Sequence, residues 1–439
     1  KKIMDILTNN IHTEKISFDD FKQDVMNDYL IAVQSREASL LGRKEVLTGK
    51  AKFGIFGDGK EIAQIAMAKV FQEGDFRSGY YRDQTFMFAS GMSRVEAFFS
   101  QLYANPDVNA EPSSAGRQMN GHYATRLLDE SGQWTDQTKT KNCSSDISPT
   151  AGQMVRGLGL AFASKLYRSQ EILKNETSFS NKGNEVCFTT IGDASTSEGL
   201  FWETVNAAGV MQVPMAIFIW DDGYGISVPR KFQTSKNSIS EILKGFQFEE
   251  GLGGLDIYTV KGWDYAALCD TFKKGIQKIR DTHTPAVFHV QEITQPQGHS
   301  TSGSHERYKS KERLEWEKEM DCIKKMREFI LENAIGTEDE LLKIEEDAKT
   351  MVLDAKKASW EKFIDPIKQQ VQQATKLCND IIFEGNPQAE TIASYVKEVT
   401  SIKEPLRRDI MKLLARVLHI AGQSPAVDHS AHLAGHAGG

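Results

Sequence analysis

Two short apolar runs joined by one amphipathic segment constrain this chain more than any other feature. Glu185–Ile191 (EVCFTTI) is apolar and β-branched, and Met215–Trp220 (MAIFIW) is a second such run. Between them Leu200–Met211 carries Phe201, Val205 and Ala208 on one helical face, and Pro214 ends that segment. The pattern predicts strand–helix–strand. A right-handed crossover lays both strands side by side and parallel, so their carboxyl ends meet at one sheet edge. The first strand ends in Gly192-Asp193 and the second in Asp221-Asp222-Gly223-Tyr224. Open α/β sheets bind ligands at that edge. Asp193 and an acid of the Asp221/Asp222 pair are therefore expected to become neighbours.

Converging carboxylates repel unless a cation sits between them, and oxygen ligands suit Mg²⁺ or Ca²⁺. Mg²⁺ takes one or two carboxylates and completes its shell with phosphate oxygens and water. Ser195-Thr196-Ser197-Glu198 has the form of a capping box and predicts a helix start directly after Gly192-Asp193. Helix N-termini bind anions through free N–H groups, and Gly192 and Gly199 permit close backbone approach. The local chemistry thus predicts a metal that bridges the protein to a phosphate-bearing ligand.

The strand theme repeats in Asp256–Val260, a helix-like stretch over 264–281, and Ala286–Ile293. This predicts an α/β fold, a parallel sheet flanked by helices. Four zones follow: an N-terminal helical segment (1–45), the α/β domain (46–305), a helical extension (306–420) and a flexible tail or linker (421–439). In the first, Phe18, Phe21, Val25 and Tyr29 recur at spacings of three and four. In the third, Thr337-Glu338-Asp339-Glu340 reads as a capping-box start. The tail holds His429, His432 and His436 and has no core-forming pattern. With 53 basic against 60 acidic residues, the net charge of −7 argues against a nucleic-acid binder. No apolar run reaches membrane-spanning length and no secretory signal is visible. The five cysteines are scattered, without CxxC spacing, which fits reduced thiols in a cytoplasmic protein. There is no GxxxxGK[ST], and GLGLAF (157–162) lies inside a helix-like stretch, so nucleotide-loop readings are disfavoured.

Gly192-Asp193-Ala194, then 26 residues (195–220), then Asp221-Asp222 resembles the thiamine-diphosphate motif of GDG followed by NN. The segment GDASTSEGLFWETVNAAGVMQVPMAIFIWDDGYGIS is similar to the α-subunit of the E1 component of 2-oxo acid dehydrogenase complexes. SGYYRDQTFMFASG, GRQMNGHY (116–123), ISPTAGQMVRGLGLAFASK and GHSTSGSHERY (298–308) extend the resemblance over roughly residues 20–360. GRQMNGHY leans it toward the branched-chain (2-oxoisovalerate) type. The resemblance implies the thiamine-diphosphate-binding fold, with thiamine diphosphate and Mg²⁺ as cofactors. It implies that Asp193, Asp222 and the Tyr224 carbonyl bind Mg²⁺. Tyr81, Arg82 and the backbone of Gly192, Asp193, Ala194 and Ser195 would hold the diphosphate, Arg82 through its two-oxygen fork. Ser148, Thr150 and Ile226 would touch the thiazolium and pyrimidine region. His299 would sit near the diphosphate and the reacting carbon as acid/base or oxyanion partner, with His122 and His305 as weaker candidates. Ser300-Thr301-Ser302 matches a loop that is phosphorylated in some relatives.

The same resemblance implies partners: an E1 β-subunit or a fused β-domain, a lipoyl-bearing E2, and a small 2-oxo acid. The glutamate that activates thiamine resides in a pyrimidine-binding domain. The 134 residues after 305 are mostly helical and offer no room for one, so a shared α2β2-type site is expected. Pyruvate- or acetoin-type E1 α-subunits, a split transketolase-like subunit and a non-catalytic relative are the alternatives. Five positions depart from the family: Ala194 for Gly, Asp221-Asp222 for Asn-Asn, Gly152 for a potassium-site Thr, and Trp220 for an Arg on the diphosphate.

Overall fold

The strand-like runs form the centre of the protein. This computed structural model describes residues 17–421. The reading of the far N-terminus, and of the tail after Ala421, lies outside the described residues. Six strands make one sheet: β1 (Phe76–Ser78), β2 (Asn142–Cys143), β3 (Cys187–Gly192), β4 (Met215–Trp220), β7 (Asp256–Lys261) and β8 (Ala286–Gln291). Its order is β2-β1-β3-β4-β8-β7, and every neighbouring pair is parallel. β5 (Tyr224–Gly225) and β6 (Val228–Pro229) form a separate antiparallel hairpin directly after β4.

Both faces of the sheet are covered, which is why MAIFIW reads as an unbroken apolar run. Side chains alternate along β4. Ala216, Phe218 and Trp220 enter a core with the helices Phe18–Leu47, Glu61–Lys69, Tyr265–Thr282 and Cys322–Glu332. Met215, Ile217 and Ile219 enter the opposite core with the helices Gly152–Ser169 and Gly199–Met211. Phe218 stacks against Phe188 at 5.8 Å and Phe288 at 4.7 Å, with Phe272 edge-on at 5.0 Å. Such aromatic geometry adds about 0.5–1.5 kcal/mol per pair beyond area burial.

Turn chemistry sets the helix ends. The Thr337 box forms as expected, with Thr337 N–H donating to Glu340 Oε2 at 2.8 Å and Glu340 N–H to Thr337 Oγ1 at 3.3 Å. The helix Glu338–Phe383 begins there. The Ser195 box does not form. Ala194–Ser197 is a single 3₁₀ turn, and the helix starts later, at Gly199, after Glu198, which makes no side-chain cap. Thr196 instead folds back, its N–H and hydroxyl both donating to the Asp193 carbonyl at 3.1 and 2.6 Å. The local Thr196 contact outcompetes the Ser195 cap.

The chain divides into two compact units, one through Lys356 and one from Lys357. The first contains the sheet. The second has its own core, in which Ile367, Val371, Ala374, Cys378 and Ile381 meet Ile392, Val396, Val399, Ile410, Leu413, Leu414 and Val417 from the helices Ala389–Thr400 and Arg407–Ala421. No described helix is long and apolar enough to cross a membrane.

Candidate active site

The parallel register brings the acidic turns together. Gly192 pairs with Trp220, and Trp220 with Val290, so β3, β4 and β8 end level with one another. Asp193 N–H donates to the Trp220 carbonyl at 3.2 Å, and Asp221 N–H to the Val290 carbonyl at 3.0 Å. A cleft of about 390 Å³ opens at this edge. It is lined by Tyr80, Tyr81, Arg82, Thr150, Gly192, Asp193, Ala194, Ser195, Trp220, Asp222, Tyr224, Gly225, Ile226, Gln233 and His299. Residues as far apart in the sequence as Tyr80 and His299 thus share one cavity.

The three aspartates differ in their partners. Asp221 does not line the cleft; it meets the Asp193 carboxyl from within a supporting network. It accepts from His289 Nε2 at 2.8 Å and Gly223 N–H at 3.0 Å, and it pairs with Arg230. Burial alone would raise its carboxyl, but the hydrogen bond and charge of His289, together with Arg230, hold it below the usual range. Asp222 accepts from Tyr224 N–H at 3.1 Å through Oδ1, while Oδ2 lies 3.5 Å from Lys60 Nζ. Asp193 is 4% exposed and forms no ion pair among the described residues. Burial first, then the charges of Asp222 and Asp221, push its carboxyl well above the usual value. A buried carboxyl crowded by two others is stabilised in its ionised form by a divalent cation. The donor set therefore fits a hard metal ion.

Arg82 is fully fixed. Its Nη1 donates to the Phe56 carbonyl at 2.7 Å, and Nη2 reaches both the His299 carbonyl and His299 Nδ1 at 2.9 Å. Three of its N–H groups are thus engaged, so a free two-oxygen fork is not what this arrangement offers an anion. The arginine instead sets the state of His299. Nδ1 must accept from the guanidinium, so the ring proton resides on Nε2. Burial, followed by the Arg82 charge, pushes the imidazole down to about 4. His299 is therefore neutral near pH 7, with the Nε2–H left to donate.

Other expected residues divide. Thr150, Tyr224 and Ile226 line the cleft; Ile226 is 62% exposed and sits at φ +57°, a strained conformation for a β-branched residue. Ser148 is not among the lining residues; its hydroxyl lies 3.2 Å from His122 Nε2. The Ala194 methyl is accommodated because residue 225 is glycine, where a Cβ would come within 2.7 Å of it. Trp220 makes no substitute for a phosphate-binding arginine: its indole N–H donates to Asp83 Oδ1 at 3.2 Å. In the loop after β8, Thr301 is tied to Gly54 by two hydrogen bonds of 3.0 Å.

Tyr80, Gly225 and Gln233 in the cleft lining, and Lys60 beside Asp222, are the additions that sequence reasoning missed. Lys60 is 1% exposed and donates to Gln295 Oε1 at 2.6 Å. Burial pushes its ammonium down, opposed chiefly by Asp222. The available signal was a lysine in the turn Gly57-Asp58-Gly59-Lys60, just before a helix whose first eight residues are all buried.

Residues 36–368 match the family described as Dehydrogenase E1 component, which covers the whole sheet and this cleft. The chain belongs to that family. Among curated proteins it is 26% identical over 327 residues to the 2-oxoisovalerate dehydrogenase subunit alpha of Bacillus subtilis, spanning 72% of this chain and 87% of that one. It is 24% identical over 337 residues to the mitochondrial 2-oxoisovalerate dehydrogenase subunit alpha 1 of Arabidopsis thaliana, spanning 76% and 61%. It is 29% identical over 203 residues to the pyruvate dehydrogenase E1 component subunit alpha of Rickettsia bellii, spanning 46% and 55%. This chain therefore spans about half the length of the Rickettsia relative.

Proposed function

We propose that this member of the E1 family is the α-type part of a 2-oxo acid dehydrogenase. It would act on a branched-chain 2-oxo acid and pass the acyl group to a lipoyl group on a partner enzyme. The observation that carries the reading is the convergence of Asp193, Asp222, Arg82 and His299 on one cleft at the carboxyl edge of a parallel sheet. Thiamine diphosphate, when bound, supplies the electron sink for the carbanion left by loss of CO₂. The chain's own residues do the rest. Asp193, Asp222 and the Tyr224 carbonyl would hold Mg²⁺. Tyr81, one or two N–H groups of Arg82, and the backbone at Gly192, Ala194 and Ser195 would meet the diphosphate oxygens. Thr150 and Ile226 would bound the ring end of the cleft. His299 Nε2–H would donate to oxygen on the reacting substrate, its orientation set by Arg82. Ser148 would reach the cofactor only by leaving His122.

The branched-chain preference draws support from GRQMNGHY and from the 2-oxoisovalerate dehydrogenase relatives. The free cysteines among the described residues fit a cytoplasmic setting. A pyrimidine-side domain, as a separate β-subunit or a fused segment, would complete the site in an α2β2-type assembly. The test is reconstitution with the β part, then dichlorophenolindophenol reduction across branched-chain 2-oxo acids, pyruvate and 2-oxoglutarate. The reading expects turnover that needs Mg²⁺ and thiamine diphosphate and is highest with 2-oxoisovalerate. Highest turnover with pyruvate overturns the substrate class. Full turnover by this chain alone overturns the shared site, and no turnover with any 2-oxo acid overturns the activity.

A further inference from the structure

Among the described residues Lys60 forms one ion pair, and it is with Asp222. Two other carboxylates stand nearby but are already committed. Glu61 takes the Arg36 guanidinium through both oxygens, at 2.7 and 3.1 Å. Asp58 accepts from Gln297 N–H at 2.9 Å and lies 3.4 Å from Gln295 Nε2. Gln295 holds the ammonium in place from the other side, at 2.6 Å. Lys60 does not line the cleft. It stands behind Asp222, screened from solvent, so it is positioned to act on the carboxylate rather than on a ligand.

That placement matters because of the charge count at the edge. Arg230 compensates Asp221, Lys60 compensates Asp222, and Asp193 has no basic partner among the described residues. A dication brings two charges to Asp193 and Asp222, and a diphosphate then adds several negative ones. With Lys60 present, the edge carries one net negative charge less. The edge then holds the cation less tightly by itself but tolerates the cation together with its anion. We propose that Lys60 is a positioning residue that serves as the counter-charge of Asp222, weakening bare Mg²⁺ binding and strengthening binding of the Mg²⁺–diphosphate pair. The proposal rests on Asp193 and Asp222 being cation ligands.

The test uses the full chain and the variants Lys60→Met, Asp222→Asn and the double variant, followed by calorimetric melting and by titration with Mg²⁺ and inorganic pyrophosphate. In EDTA, Lys60→Met should melt a few degrees below the parent, because the half-buried Asp222 carboxylate is left without its ion-pair partner. The double variant should melt above Lys60→Met, since both charges are gone. Lys60→Met should bind Mg²⁺ alone about tenfold more tightly than the parent. At saturating Mg²⁺ it should bind pyrophosphate more weakly. A lysine that only supports the fold would not shift the two affinities in opposite directions. Strictly additive melting losses overturn the pairing, and so does a double variant that fails to fold alongside Lys60→Met. If Lys60→Met is insoluble and the double variant folds, the pairing stands. A parent that ignores Mg²⁺ overturns the cation reading and this proposal with it; a responsive parent with unchanged affinities in Lys60→Met overturns the proposal alone.

Discussion

Replacing Asp193 with Asn should stabilise the metal-free protein and abolish its response to Mg²⁺. Asp193 is buried, lies beside Asp222 and Asp221, and forms no ion pair among the described residues. Burial, then the neighbouring charges of Asp222 and Asp221, push its folded carboxyl well above the ordinary aspartate value of 3.8. Above pH 3.8 the folded state therefore binds more protons than the unfolded one, and stability falls as pH rises toward the folded value. The slope is at most about 1.4 kcal/mol per pH unit. The neutral amide removes this penalty. Relief of one uncompensated buried charge is worth about 1–3 kcal/mol, which is about 2–6 °C at the low end of the melting shift for a long chain. Divalent metal acts in the opposite sense. At a hundredfold excess over its dissociation constant it adds about 2.7 kcal/mol to the parent and little to the variant. In EDTA at pH 8 the variant should melt above the parent, with the gap narrowing toward pH 5. In saturating Mg²⁺ the order should reverse. Melting below the parent in EDTA at pH 8, or a retained Mg²⁺ response, would refute the reasoning.

Four further outcomes are expected. Changing His299 to Gln should cut turnover of the reconstituted enzyme roughly 100-fold, and the parent's pH–rate profile should show no limb near 6.5, because the imidazole titrates at about 4; a wild-type rate in the variant contradicts the donor role. Ile226→Gly should stabilise the chain by about 1 kcal/mol by relieving φ +57° while weakening cofactor binding, both read by melting with and without thiamine diphosphate and Mg²⁺; a loss of stability counts against strain. His283, whose Nε2 lies 2.9 Å from the Gly183 carbonyl, is pushed down to about 4 by burial. Its contribution is complete above pH 6.5 and is lost as pH falls toward 4, so His283→Asn should flatten that part of the urea-stability profile; an unchanged acid limb disproves the assignment. Phe218→Ala should cost about 3–5 kcal/mol in urea unfolding, and a cost under 1 kcal/mol would deny the central aromatic stack.

Much of this protein was legible in its sequence, because the signals were local. The unbroken apolar run MAIFIW, the helix-like 264–281 stretch and the Thr337 box need only near neighbours, and each appears where its residues predict it. The strand–helix–strand rule also carried Asp193 and Asp222 to one edge, because chirality leaves the crossover a single hand. The Ser195 box failed at the same short range, where Thr196 offered a competing bond to the Asp193 carbonyl. What the tertiary structure alone decided is which charges face one another. Arg82 locks His299 across 217 positions, Trp220 is committed to Asp83 across 137, and Lys60 stands behind Asp222. No periodicity encodes such pairs. They arise because a closed core removes water from groups that arrive from different strands, and each buried charge must then be met by whatever the fold has brought beside it.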